Sequence, residues 1–402
     1  MPRLKIAILG AGPAGLMAAL TLGKDHEVHI YDKERKIGQK FLVAGKGGLN
    51  ITNSAPLQDL TRKYAPPGFL DSCLSRFDNL AFRQWLMERG IPTYVGTSGK
   101  VFPQKGLKAR DVLQMMRDQL ILQGVTFFME HEFIAFNSLM KPVVRNEGNE
   151  ITLDYSFYIF AFGGSSWPLT GSNGKWRNIF ESSGIPTMPF EPSNCGIEIP
   201  WPSSIKEFHT GKPLKNISAS IGEKESKGEA LITREGLEGN AIYPLIPEVR
   251  RLLSSGQTCK IILDLKPFNS EDQLLAKVKN TGTAKKSLNE IFKLDPVQWA
   301  LLKAFTSRED YLDSTLLVRK MKQLPIPVAS LRPIEEAIST VGGVAISNLN
   351  MDFSLKKHPE IFTIGEMVDW DAPTGGFLLQ ACFSMGYSAA QSILKSIKNN
   401  QD

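Results

Sequence analysis

The chain has 402 residues, 47 Lys and Arg against 41 Asp and Glu, and a formal charge of +6, with 42% hydrophobic and 22% charged residues. These are the proportions of a soluble globular protein, and the length predicts two or three domains. No apolar run reaches the roughly 18 residues of a membrane span, and the mild positive charge permits an anionic partner without demanding one.

Cys73, Cys195, Cys259 and Cys382 are far apart and form no C-x-x-C, and the five histidines are scattered. That argues against dithiol–disulfide chemistry and against a cysteine zinc site, and no metal is expected. The sequence enters its first strand at once, which predicts no signal peptide and a cytoplasmic location.

Lys5–Asp32 reads as strand, glycine turn, helix and second strand. Ile6, Ala7, Ile8 and Leu9 form the continuous apolar run of a buried parallel strand. Gly10, Gly12 and Gly15 then supply G-x-G-x-x-G. The first serves a tight turn, the second the approach of a pyrophosphate, the third close helix–strand packing. Pro13 and Ala14 open a helix whose N-terminal amides face the phosphates. Asp32 ends the second strand, where a carboxylate can accept from the hydroxyls of an adenosine ribose.

Residues 33–54 form a glycine-rich loop expected to lie along the same cofactor, with Lys40, Lys46, Asn50, Thr52 and Asn53 as its hydrogen-bonding side chains. Residues 55–90 read as helical. Residues 98–105 read as a short hairpin or extended turn, and 107–123 as an amphipathic helix that Gly124 ends. One strand is expected over 125–136 and a hairpin over 137–155, turning at 146–149. A second buried strand, 157–164, ends in Gly163-Gly164, where a sheet edge again meets a ligand. No further G-x-G-x-x-G follows, so a second full dinucleotide fold is not indicated.

From about residue 191 prolines cluster, and short β segments are expected near 195–200, 214–221, 229–233 and 259–265, a small inserted β domain. Residues 270–322 read as helical and basic. From Leu275 to Lys322 ten Lys or Arg face five acids; such a face is ordinarily solvated surface, the alternative being a phosphate backbone. Thr340–Val344 reads as a glycine turn and Ile361–Glu366 as a strand ending in Gly365 and Glu366. Gly375, Gly376 and Phe377 open a long helix to about 398, presenting free amides to an anionic or electron-rich ligand. The C-terminal 70 or so residues thus return to the first domain.

The stretches GAGPAGLMAA, GQKFLVAGKGGLNITN, GKVFP, the strand before TGSNG, TVGGV and GEMVDWDAPTGGFLLQACFSMGY together resemble the BaiN/RdsA-like group of NAD(P)/FAD-dependent oxidoreductases, among the two-dinucleotide-binding-domain flavoproteins. The resemblance implies an α/β Rossmann-like FAD-binding domain of glutathione-reductase type, carrying an inserted small β-barrel-like domain and a helical subdomain. The expected division is 1–190, 191–268, 269–325 and 326–402. It implies FAD bound extended, held by Gly10, Gly12, Pro13, Ala14, Gly15, Asp32, Lys33, Lys40, Gly47, Gly48, Asn50, Phe133 and Gly163. Gly365 and Glu366 would meet the ribityl chain, and Gly375, Gly376 and Phe377 the isoalloxazine.

Two departures from the family pattern stand out. Lys46 and Leu49 occupy positions where the family more often has a Gly and an Arg, and Arg234 stands where it often has a His. Lys46, Asn50 and Cys382 are the candidate catalytic residues; for Cys382 the plain reading is a buried apolar thiol.

The activity implied is a reductase. NADH or NADPH would be a transient donor, FAD the carrier, and a conjugated C=C the acceptor, in a small molecule or in a uridine of ribosomal RNA, the latter reached through the basic 275–322 tract. No DNA or membrane partner is expected. An FAD monooxygenase or oxidase, and a flavin-binding or RNA-binding module without turnover, are the alternatives.

Overall fold

The computed structural model describes residues 3–45, 48–279 and 291–399. The chain forms two compact units: residues up to Glu191 together with those from Ser339 onward, and Pro192–Ile338.

The first unit is built on a five-stranded parallel sheet. Its strands are β1 (Lys5–Leu9), β2 (Glu27–Asp32), β3 (Thr126–Met129), β4 (Phe157–Phe160) and β5 (Ile361–Thr363), in the order β5-β4-β1-β2-β3. Ile6, Ala7 and Ile8 are fully buried at its centre, as a strand covered on both faces requires. The chain runs outward from β1 through β2 to β3, then returns to the other side of β1 as β4. Between β1 and β4 the strand order reverses, and the crevice beyond the strand ends there is where such sheets bind ligands.

Three helices serve that crevice. They are α1 (Pro13–Leu22), α2 (Gln39–Ala44) and α3 (Phe377–Asn399). A Cβ on Gly386 of α3 would lie 2.3 Å from the Ala14 carbonyl oxygen, so α1 and α3 touch backbone to backbone. Ala109–Leu122 forms the amphipathic helix expected over 107–123, burying Val112, Leu113, Met116 and Leu120, and Gly124 follows it at φ +78°.

Several local expectations are corrected. Residues 125–136 are two strands, because Glu130 turns at φ +60°: Thr126–Met129 joins the parallel sheet and Glu132–Phe136 pairs antiparallel with Pro142–Asn146. The helical stretch over 55–90 is three short helices, Leu57–Thr61, Asp71–Arg76 and Asn79–Met87. Asp78 caps the last by accepting from the Ala81 N–H at 2.8 Å. In 98–105, Lys100–Pro103 is the central strand of three, paired with Thr93–Val95 and Thr52–Asn53. Thr340–Val344 belongs to a strand, Ser339–Val344. Its glycines answer crowding: a Cβ on Gly342 would sit 2.2 Å from the Pro189 oxygen and one on Gly343 2.1 Å from the Met367 oxygen.

Behind β2 lies a polar cluster. The Tyr155 hydroxyl is 2.6 Å from both His29 Nδ1 and the Tyr31 hydroxyl. Burial pulls the His29 pKa below its ordinary 6.5, with Glu27 opposing. The unfolded imidazole therefore binds a proton at a pH where the native one does not, so His29's contribution to stability is full above 6.5, begins to fall there, and is lost as pH drops through the lower native value. The stability gap between wild type and His29→Gln should be widest above neutrality and should narrow on acidification to about pH 5; thermal melts across that range check it.

The second unit is a seven-stranded antiparallel sheet. Its order is Leu324–Val328, Cys259–Asp264, Pro213–Ile221, Lys224–Ile232, Gly236–Glu238, Ile197–Glu198, Ser330–Leu331. The two outer strands are separated only by Ala329, whose N–H donates to the Glu198 carbonyl at 2.8 Å. The sheet therefore closes on itself like a barrel. The described helices between 271 and 322 do not form a core of their own: Leu274, Leu301 and Leu317 are buried in one cluster with Ile217 and Ile261. The return to the first unit comes at Ser339 and not at 326, because Leu324–Val328 completes this sheet against Cys259–Leu263.

Candidate functional site

The three glycines after β1 are constrained by different things. Gly10 turns at φ +113°, and a Cβ there would stand 2.4 Å from the Ala161 carbonyl oxygen; a Cβ on Gly15 would stand 2.1 Å from the Gly10 oxygen. Fold packing alone excludes side chains at both. Gly12 has an extended backbone (φ −86°, ψ −179°), and a Cβ there would meet nothing within 4 Å. The protein leaves that space open at the N-terminus of α1, where free amides favour an anion.

Asp32 secures the turn. Its Oδ2 accepts from the Ala11 N–H at 2.7 Å and its Oδ1 from the Glu34 N–H at 2.8 Å. Burial pushes its carboxyl above the ordinary value, and the two N–H bonds oppose that. Its first task is thus to tie the end of β2 to the glycine turn, a role not read from the sequence. Each oxygen still has acceptor capacity for a ribose hydroxyl.

A cleft opens here, at the strand-order reversal. Among the predicted residues Gly10, Gly12, Pro13, Ala14, Asp32, Lys33, Lys40, Phe133, Gly163, Gly365, Glu366 and Cys382 line it. Lys36, Gln39, Thr170, Ser172, Lys175 and Trp176 also line it and were not assigned from the sequence. Lys36 and Gln39 belong to the 33–54 loop expected along the cofactor, and for the other four the signal is the T-G-S-N-G run. The Trp176 indole donates to the Gly163 carbonyl at 3.1 Å and Ser172 Oγ to that of Gly164 at 3.0 Å, so this run is pinned to the end of β4. Phe133 stacks on Phe162, with ring centroids 5.5 Å apart.

In the same cleft Lys40 Nζ lies 2.8 Å from Glu366 Oε2 and 2.8 Å from Ser166 Oγ. Cys382 faces Glu366 from α3. Burial first, and Glu366 second, push its thiol well above the ordinary range, so it is protonated and poorly nucleophilic.

A second cluster brings the ends of the chain together. Asn53 Nδ2 donates to the Gly375 carbonyl at 3.0 Å, and Thr52 Oγ1 to Gln380 Oε1 at 2.6 Å. A Cβ on Gly376, which has φ +92°, would lie 2.3 Å from the Thr52 oxygen. Phe377 is a core residue, its carbonyl accepting from the Tyr64 hydroxyl at 2.9 Å. Gly48 is exposed at φ +107°. Among the described residues Asn50 Oδ1 is buried without a hydrogen-bond partner. Gly15, Gly48, Asn50 and Gly375–Phe377 lie outside the lining of the cleft itself. Lys46 and Gly47 lie outside the described residues.

The basic tract is partly neutralised. Arg319 pairs with Glu271 at 3.1 Å, Lys320 with Asp310 at 3.4 Å and Lys322 with Asp264 at 2.6 Å. Lys303 sits over the Trp299 ring at 5.6 Å. Lys285 and Lys286 lie outside the described residues. No metal-binding group of His, Cys, Asp and Glu is formed among the described residues, and no described helix is long and apolar enough to cross a membrane.

The parallel sheet, the open second glycine and the cleft at the strand-order reversal define a Rossmann-type FAD-binding flavoprotein fold. The family model described as the HI0933-like protein Rossmann domain matches residues 4–392. The chain belongs to that family, and it is an FAD-dependent oxidoreductase.

It is 25% identical to a 3-dehydro-bile acid delta(4,6)-reductase of Clostridium scindens, over 96% of this chain and 98% of the relative. It is 24% identical to a ribosomal RNA dihydrouridine synthase of Escherichia coli K12, over 98% and 99%. Among solved structures, the 3-ketosteroid-delta4-(5alpha)-dehydrogenase of Rhodococcus jostii RHA1 shares the fold, with a TM-score of 0.51 at 11% identity over 97% of this chain and 96% of that one.

Proposed function

We propose that this protein is a reductase that accepts hydride from NADH or NADPH and delivers it to a C=C bond conjugated with a carbonyl. The observation behind this is a cleft suited to an extended dinucleotide in a chain whose full-length relatives are named for saturating such bonds. FAD, when bound, supplies the two-electron hydride chemistry. The residues do the rest. The amides after Gly12 receive phosphate charge, and Asp32 holds the turn while offering acceptor capacity to the ribose. The Gly375-Gly376 start of α3 supplies donors and a positive dipole end to an electron-rich ring edge.

Two substrate classes follow from the relatives, a small unsaturated carbonyl compound and a uridine of ribosomal RNA. The ion pairs of Arg319, Lys320 and Lys322, three of the ten basic residues of the 275–322 tract, weaken the electrostatic argument for the second. In anaerobic mixing, NADH or NADPH is expected to bleach the flavin, and an α,β-unsaturated ketone or a uridine-containing ribosomal RNA to restore its colour. A flavin that neither nucleotide reduces sinks the reductase reading. Nucleoside mass spectrometry of ribosomal RNA from a deletion strain separates the classes: loss of a dihydrouridine assigns RNA, and an unchanged profile assigns a small molecule.

A further inference from the structure

We propose that Lys40 and Glu366 act as one electrostatic unit in FAD binding, with Lys40 the positioning residue that keeps Glu366 compatible with an anionic cofactor. The inference rests on the chain being an FAD protein. The two residues are 326 positions apart and meet at 2.8 Å. Their side chains are only 25% and 14% exposed, and both line the cleft. Glu366 sits just past β5 on the short helical turn Gly365–Met367, and Lys40 sits in the first turn of α2. The pair therefore joins the two sequence segments of the discontinuous unit in the lining of the cofactor cleft.

Lys40 has three N–H donors. Glu366 Oε2 and Ser166 Oγ take two of them, which leaves one for the cleft. Without the ammonium, Glu366 would be a largely buried carboxylate with its cation gone, in a cleft that must admit a doubly charged pyrophosphate. Removing one partner of such a pair is far more damaging than removing both, because the stranded charge bears the whole desolvation penalty.

A double-mutant cycle follows, read as FAD dissociation constants by flavin fluorescence and as apoprotein melting temperature. Wild-type FAD binding is the reference. If the wild type binds no FAD, the flavoprotein reading fails before the pair is tested. Lys40→Met is expected to weaken FAD at least tenfold and to lower the apoprotein melting temperature. Glu366→Gln is expected to weaken FAD too, but less than Lys40→Met does, because the ammonium it leaves unpaired faces an anionic cofactor. The double variant is expected to recover most of the affinity that Lys40→Met loses, and Lys40→Arg to keep both readouts close to wild type.

Three results overturn the proposal. One is Lys40→Met with unchanged affinity. Another is a double variant that binds no better than Lys40→Met. The third is losses from Glu366→Gln and Lys40→Met that simply add. If Lys40→Met does not fold, the double variant carries the decision alone: if it folds and binds FAD within tenfold of wild type the proposal stands, and otherwise it fails.

Discussion

Gly12→Val should yield a folded, colourless protein. The backbone at Gly12 is extended, a conformation any residue adopts, and apart from its chain neighbours no described residue comes within 4 Å of the position a Cβ would take. The fold therefore has no objection to a side chain there, and the melting temperature of the apoprotein should stay within a few degrees of wild type. Any objection comes from the ligand. A branched side chain at the N-terminus of α1 fills the space a pyrophosphate needs and screens the free amides that receive it. The expected result is a loss of FAD affinity of about 100-fold or more, equivalent to about 3 kcal/mol. Gly15→Val is the contrasting control. Its Cβ would overlap the Gly10 carbonyl oxygen, so it should fail as a folding mutant whether or not FAD is present. Absorbance of the purified proteins and thermal melts without added FAD separate the two outcomes.

Gly376→Val should damage both binding and stability. Gly376 has φ +92°, and a Cβ would approach the Thr52 oxygen to 2.3 Å. A side chain is strained by the backbone and also drives the start of α3 away from the Thr52–Asn53 strand. That breaks the Asn53–Gly375 and Thr52–Gln380 hydrogen bonds. Strain and overpacking together are expected to cost about 2–5 kcal/mol. Unlike Gly12→Val, this variant should melt earlier even as apoprotein. Amide hydrogen exchange should locate the loosening at residues 48–55 and 375–384.

What could be read from the sequence was local. Lys5–Asp32 declares itself because strand, glycine turn, helix and acid fall within a few tens of residues, and each glycine has a spacing-defined task. The helix over 107–123 shows for the same reason, its apolar residues recurring on one face.

What could not be read depends on distant partners. Thr340–Val344 looks like a turn because its glycines suggest one, yet they are there to let Pro189 and Met367 come close. The run 125–136 has unbroken strand-like composition, and only Glu130's left-handed turn divides it between two sheets. Asp32 was read as a ribose acceptor, but the hydrogen bonds it makes within the chain go to the glycine turn and to Glu34. Lys40 and Glu366 each look like a cofactor contact in isolation. That they pair across 326 residues is a property of the sheet order, which brings β5 to the same crevice as the loop after β2.

The central claim is that one FAD is held in the cleft between the two ends of the first unit. Its most direct test is the flavin content of the purified protein, released by denaturation and identified by chromatography, in wild type and in Gly12→Val. One FAD per wild-type chain is expected, and none in a Gly12→Val protein that melts like wild-type apoprotein. A wild-type protein that takes up no FAD even after incubation with excess cofactor, or a folded Gly12→Val protein that keeps its full complement, would contradict it.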